Sequence, residues 1–217
     1  MTRTPICRNG LGIHLPLTNA GMNMPIIILN LAFLIALAGC NPGSASPQVR
    51  DLEAKDEYGN TPLQIAVRDD DVEAVKLLLD AGANVEAKTQ GGMTPLIRAA
   101  AIGDREIVRL LLAKGAKVDG RNDSGETGLM KAASFGRTEL VKMLLAKGAD
   151  VNAKDIDKTT SLMRAARDGH IETLQALLKS GADVNARDKD ERTASKYAAD
   201  ERRTDIVQLL KEVGAKE

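Results

Sequence analysis

TPLIRAAAIGDREIVRLLLAKGAKV, residues 94–118, decides the fold, because the chain repeats it with variations at a fixed step. Thr61, Thr94, Thr127, Thr160 and Thr193 stand 33 residues apart. Leu63, Leu96, Leu129 and Leu162 follow two places later, and Ala66, Ala99, Ala132, Ala165 and Ala198 five places later. Gly82, Gly115, Gly148, Gly181 and Gly214 keep the same step. A fixed period of this size marks units that stack side by side and share one core. Five units follow, 56–88, 89–121, 122–154, 155–187 and 188–217, opening at Asp56, Thr89, Asn122, Asp155 and Asp188. The stretch 51–56 matches 150–155 three periods on, so the array begins with the tail of a further unit.

Within a unit the local signals read helix, turn, helix, loop. Thr61-Pro62 and Thr94-Pro95 set a capping hydroxyl before a proline at the first helical position, where a missing N–H costs nothing. The short helix that follows stops at Gly103, matched by Gly136, Gly169 and Asp70, residue types that tolerate a left-handed turn. Ile107, Val108, Leu110, Leu111 and Leu112 then give the second helix one broad apolar face. It closes on Lys114-Gly115, a basic last turn before a terminating glycine. Val85, Val118, Val151 and Val184 each set an apolar residue under the following loop. With aromatics at 2% and no Trp, the core rests on Ala, Leu, Val and Ile, which suits helices packed closely over small residues.

Over residues 51–217 this pattern resembles the ankyrin repeat, as Gly181-Ala-Asp-Val-Asn-Ala186 and Asp168-Gly-His-Ile-Glu172 show. The resemblance implies an all-α solenoid of helix-turn-helix units with β-turn fingers. Departures from the pattern are informative. Gln64, Ile97, Met130, Met163 and Lys196 stand where the family carries a His that ties each turn to its neighbours by hydrogen bonds, so packing is expected to hold these turns instead. Pro is lost at Gly128, Ser161 and Ala194, and the fifth unit carries Ser195 for Leu and Arg202 for Gly, as a water-facing terminal unit should. The first unit, with Asp69-Asp70-Asp71, reads as the opposite cap.

Ahead of the array lies a different kind of sequence. Residues 1–39 hold Arg3 and Arg8 and no acid, and Ile26 to Ala38 is apolar except for Asn30. That run is too short for a membrane span of roughly 20 residues but fits the apolar region of a signal peptide, with Met1, Met22 or Met24 as its start. It ends in Leu37-Ala38-Gly39-Cys40, which resembles the lipobox of bacterial lipoproteins. The resemblance implies cleavage before Cys40, acylation of its thiol, and anchoring through two or more chains at roughly 0.8 kcal/mol per buried CH₂. Residues 40–50, rich in Pro, Gly and Ser, read as a tether. Asn41, where an Asp would retain a lipoprotein in the inner membrane, points to the outer membrane with the body facing the periplasm. No free thiol and no disulfide would remain.

With Arg3 and Arg8 removed, 28 basic residues face 30 acidic ones, a balance without the basic stripe that nucleic acid requires. His170 is the sole His beyond residue 39 and occupies the family's Gly-His slot, where it reads as a solvent-facing structural residue. No His/Cys cluster has zinc spacing, and Gly91-Gly92 lacks the Lys and Ser/Thr of a phosphate loop. No catalytic residue, metal or cofactor is expected, which leaves an enzyme as the least supported class.

Binding is another matter, since ankyrin arrays take protein partners in a groove lined by fingers and first helices. The matching positions here include Glu57, Tyr58, Asn60, Met93, Ile102, Glu126, Phe135, Ile156, Arg167 and Asp168. Phe135 either faces water beside Met93, Ile102 and Ile156, as an interface anchor does, or folds back on the next unit as extra core. Arg98, Lys131 and Arg164 recur at the same step and should project as a row roughly 10 Å apart, serving either solubility or attraction of an acidic partner. A monomeric, membrane-tethered protein-binding module is the reading. Its role is either immunity against a toxic effector or, as for some bacterial periplasmic ankyrin proteins, support of a catalase in oxidative-stress defence; the want of Cys and spare His argues against haem ligation by the array.

Overall fold

The structure, a computed structural model, describes residues 51–215. Asp51–Glu217 form one unit by their internal contacts. Among the described residues there are ten helices and no strand. They run in helix–turn–helix pairs: α1 (Pro62–Arg68) with α2 (Val72–Asp80), α3 (Pro95–Ile102) with α4 (Arg105–Ala113), and α5 (Gly128–Ser134) with α6 (Thr138–Ala146). Then come α7 (Ser161–Asp168) with α8 (Ile171–Lys179), and α9 (Ala194–Asp200) with α10 (Thr204–Glu212). First helices pack on first helices in sequence order, α1 to α9, and second helices line up beside them. The fold is an all-α solenoid.

Each first helix starts for the same chemical reason. The hydroxyls of Thr61, Thr94, Thr127, Thr160 and Thr193 accept from the backbone N–H three residues on, satisfying a donor that the helix leaves orphaned. The cap therefore survives where Pro does not. The end is equally uniform: Asp70, Gly103, Gly136, Gly169 and Arg202 all hold positive φ, so the chain reverses there whether or not glycine is present. Leu63, Leu96, Leu129 and Leu162, with the alanines of the Ala66 column, are buried at the centre of the stack. The valines under the loops are half-buried against the same core.

The missing family His has two outcomes. Ile97, Met130 and Met163 are fully buried, so packing does hold those turns. Gln64 differs: its Nε2 donates to Ala87 O at 2.7 Å and Met93 O at 2.8 Å, so an amide ties the first finger to the second. Lys196 is exposed and pairs with Asp200 at 2.7 Å, as a terminal unit permits. Asp69-Asp70-Asp71 is accounted for locally. Asp69 pairs with Arg68, Asp70 makes the left-handed turn, and Asp71 caps α2 through Ala74 N–H.

Two ladders on the loop side join the units. Glu53, Glu86, Asp119 and Asn152 each accept a backbone N–H from the following unit, from Asn84, Lys117, Asp150 and Asp183 at 2.8–3.0 Å. Lys55, Lys88 and Arg121 donate to the carbonyls of Lys88, Arg121 and Lys154 in turn.

Candidate partner-binding surface

The fingers are built around their opening residues. Asp56, Asn122, Asp155 and Asp188 each accept, through one side-chain oxygen, the backbone N–H groups two and four residues on. Thr89 keeps one of these bonds, from Met93 N–H. A tight reversal follows at Gly59, Gly92, Gly125, Lys158 and Glu191, all at positive φ. Neighbouring fingers then meet backbone to backbone: Asp123 N–H donates to Gly91 O, Ile156 N–H to Ser124 O, and Lys189 N–H to Asp157 O. This fixes where the finger side chains stand.

The apolar candidates divide into two groups. Phe135 is 54% exposed, so it faces water and does not fill the next unit's core. It caps the end of α5 and stands one unit on from Ile102, the last residue of α3, which is half-buried. On either side of these two positions the same helix end carries an ion pair, Arg68 with Asp69 at 2.8 Å and Arg167 with Asp168 at 2.9 Å. The result is an apolar window two units wide in a polar frame, the arrangement of interface anchors with a polar rim. Tyr58 and Ile156 are 64% and 56% exposed, on the first and fourth fingers. Met93, at the foot of the second finger, is half-buried.

The basic row is corrected by the structure. Two of its three members, Lys131 and Arg164, do not project as free cations. Lys131 Nζ lies 2.7 Å from Glu126, and Arg164 Nη2 lies 3.0 Å from Glu126 and 2.6 Å from Asp155. Arg164 keeps only 13% of its side chain exposed. Two cations and two carboxylates thus neutralise one another across the third and fourth units. Burial disfavours ionised Glu126, but hydrogen bonds from Lys131 and Asn122 and the charges of Lys131 and Arg164 outweigh it and hold its carboxyl below the ordinary range. The physical reason is proximity: a long side chain at the start of a first helix folds back onto the fingers, where a charge-assisted bond replaces water. Arg98 is half-buried, and among the described residues its one hydrogen bond is to the amide oxygen of Asn60, at 3.4 Å.

His170 is also corrected. Its ring is half-buried, and Nε2–H donates to Ser134 O of the preceding unit at 2.9 Å. Gly136 makes this possible, since a Cβ there would lie 2.5 Å from the ring. In the fifth unit, Tyr197 of α9 donates to buried Asp188 at 2.6 Å, while Arg192 of the finger pairs with Asp188 and stacks on the Tyr197 ring. Burial opposes the charge on Asp188, yet the bonds from Tyr197 and from backbone N–H groups keep its carboxyl below the usual value. Among the described residues no group of His, Cys, Asp and Glu is placed to hold a metal, and no helix is long and apolar enough to cross a membrane. Cys40 lies outside the described residues.

Three copies of the ankyrin-repeat family model match residues 29–122, 82–155 and 129–217, the first beginning inside the apolar run. The chain belongs to the ankyrin-repeat family, whose repeats form a protein–protein interaction module. A comparison with curated proteins finds no match.

Proposed function

We propose that the five helix pairs are five ankyrin repeats forming a non-catalytic, monomeric binding module, and that a protein partner docks on the window of Ile102 and Phe135. The observation that carries this is the exposure of Phe135. A large aromatic more than half open to water, beside an apolar neighbour and between two ion pairs, gains free energy chiefly by being covered. Leu77, 48% exposed on second helix α2, supplies a control away from this surface. Phe135→Asp should abolish capture of the partner from envelope extracts while Leu77→Asp leaves it intact. Equal capture by both variants, or equal loss, would overturn the surface.

The apolar run ending at Cys40 supports a lipid tether that holds this module in the bacterial envelope, facing the periplasm from the outer membrane. Within that setting immunity against a toxic effector is the role that best suits a tethered surface with no chemistry of its own. A secreted toxin encoded beside this chain would favour it over support of a catalase. Cys40→Ala should release the protein from the membrane fraction, and retention there would contradict the tether.

A further inference from the structure

One column of the array contains its own controls. Ile65, Arg98, Lys131, Arg164 and Tyr197 each stand nine residues after the opening residue of their finger. Arg164 donates to its opening residue Asp155 at 2.6 Å, and Tyr197 donates to Asp188 at 2.6 Å. Lys131, whose finger opens with Asn122, is paired with Glu126 at the foot of that finger. Ile65 carries no polar group, and both oxygens of Asp56 are taken up by Asn60 and by the N–H groups of Tyr58 and Asn60.

Arg98 is the member for which every carboxylate slot is empty of carboxylate. Thr89 stands where Asp155 serves Arg164, and Asn60 stands where Glu126 does. Met93 occupies the place from which Glu126 serves Lys131. Among the described residues no carboxylate lies within ion-pair distance of Arg98, and its Nε is buried without a hydrogen-bond partner. Arg164 shares the orphaned Nε, so the difference between the two lies in the charge on the Nη side. The charges that Arg98 feels are the like charge of Arg68 and the opposing one of Asp56; burial and Arg68 prevail and push its pKa down. A half-buried guanidinium without its anion is costly, and a carboxylate is the planar acceptor its fork matches.

Ile102 lies one helical turn beyond Arg98 on the same face of α3, and Met93 lies just before that helix. A ligand reaching Arg98 therefore also meets the apolar window. We propose that Arg98 receives a partner protein's Asp or Glu side chain that is flanked by apolar residues; this rests on the partner-binding reading above.

Titration of the full-length protein with acetyl-Leu-Glu-Leu-amide, its Gln counterpart and acetate, followed by the side-chain ¹⁵N signals of Arg98 and Arg164, tests this. The Glu peptide should shift Arg98 saturably, leave Arg164 unmoved, and bind at least about tenfold tighter than acetate through its leucines. The Gln peptide should not shift Arg98. Thr89→Asp should supply from within the anion that Asp155 gives Arg164, raise Tm by about 2–4 °C, and abolish the peptide's effect. An unmoved Arg98, an equal response to Gln, or acetate binding as well as the Glu peptide would each overturn the proposal. The titration needs no natural partner, so it can fail while the Phe135 capture test succeeds, and the reverse.

Discussion

Gly92 shows how much a single position can decide. It is buried at positive φ, and a Cβ there would stand 2.6 Å from the backbone nitrogen of Asp123 in the next finger. A backbone neighbour cannot swing aside as a side chain can. Gly92→Ala should therefore cost about 2–3 kcal/mol in denaturant unfolding, from left-handed strain and displacement of the adjoining finger together. Gly103 makes a contrast: its would-be Cβ meets the mobile end of Arg137, so the same substitution there should cost less. Left-handed positions ending the first helices were legible in the sequence at Asp70 and the three glycines. The close approach at Gly92 was not, since it involves two fingers one period apart and the sequence shows only that Gly91-Gly92 is a loop.

Helices were the easiest elements to read, because a capping Thr and a reversing residue bracket each first helix at fixed places. What the period did not disclose was where a long side chain on that helix turns. Arg164 and Lys131 are spaced as a surface row should be, yet both fold onto Glu126. The relevant signal lay in a second column, the finger residues five and nine places earlier, and only the combination of two units makes it visible. The loop-side acceptors Glu53, Glu86, Asp119 and Asn152 were likewise a periodic column whose purpose needed the neighbouring unit's N–H groups. Because Glu126 has its pKa lowered on folding, its contribution is present above the ordinary glutamate range and lost as pH falls through the lower, folded value. Chemical denaturation across pH checks this. Glu126→Gln should destabilise by about 1–3 kcal/mol near pH 7, and the difference from the parent should shrink as pH falls through the lowered folded value.

At the scale of the whole array, each unit is stabilised chiefly by its neighbours, so the fixed columns account for stacking and leave function to what differs between copies. Those differences concentrate on the helix ends and finger feet of the middle units: Ile102 and Phe135 in place of Asp69 and Asp168, and Arg98 without its carboxylate. The sequence located the apolar pair because Phe135 is unusual at its position; its exposure depends on which way the side chain turns at the end of α5, which the repeat pattern does not disclose. The row of three cations was legible as a row but reduces to one unneutralised member, and only the pairing distances distinguish it. The most direct test of the central claim is photo-crosslinking in intact cells from a reactive phenylalanine analogue placed at 135 or, as control, at 77. A discrete protein adduct from position 135 and none from position 77 is the predicted result; no adduct at 135, or the same adduct from both positions, would contradict a partner seated on this window.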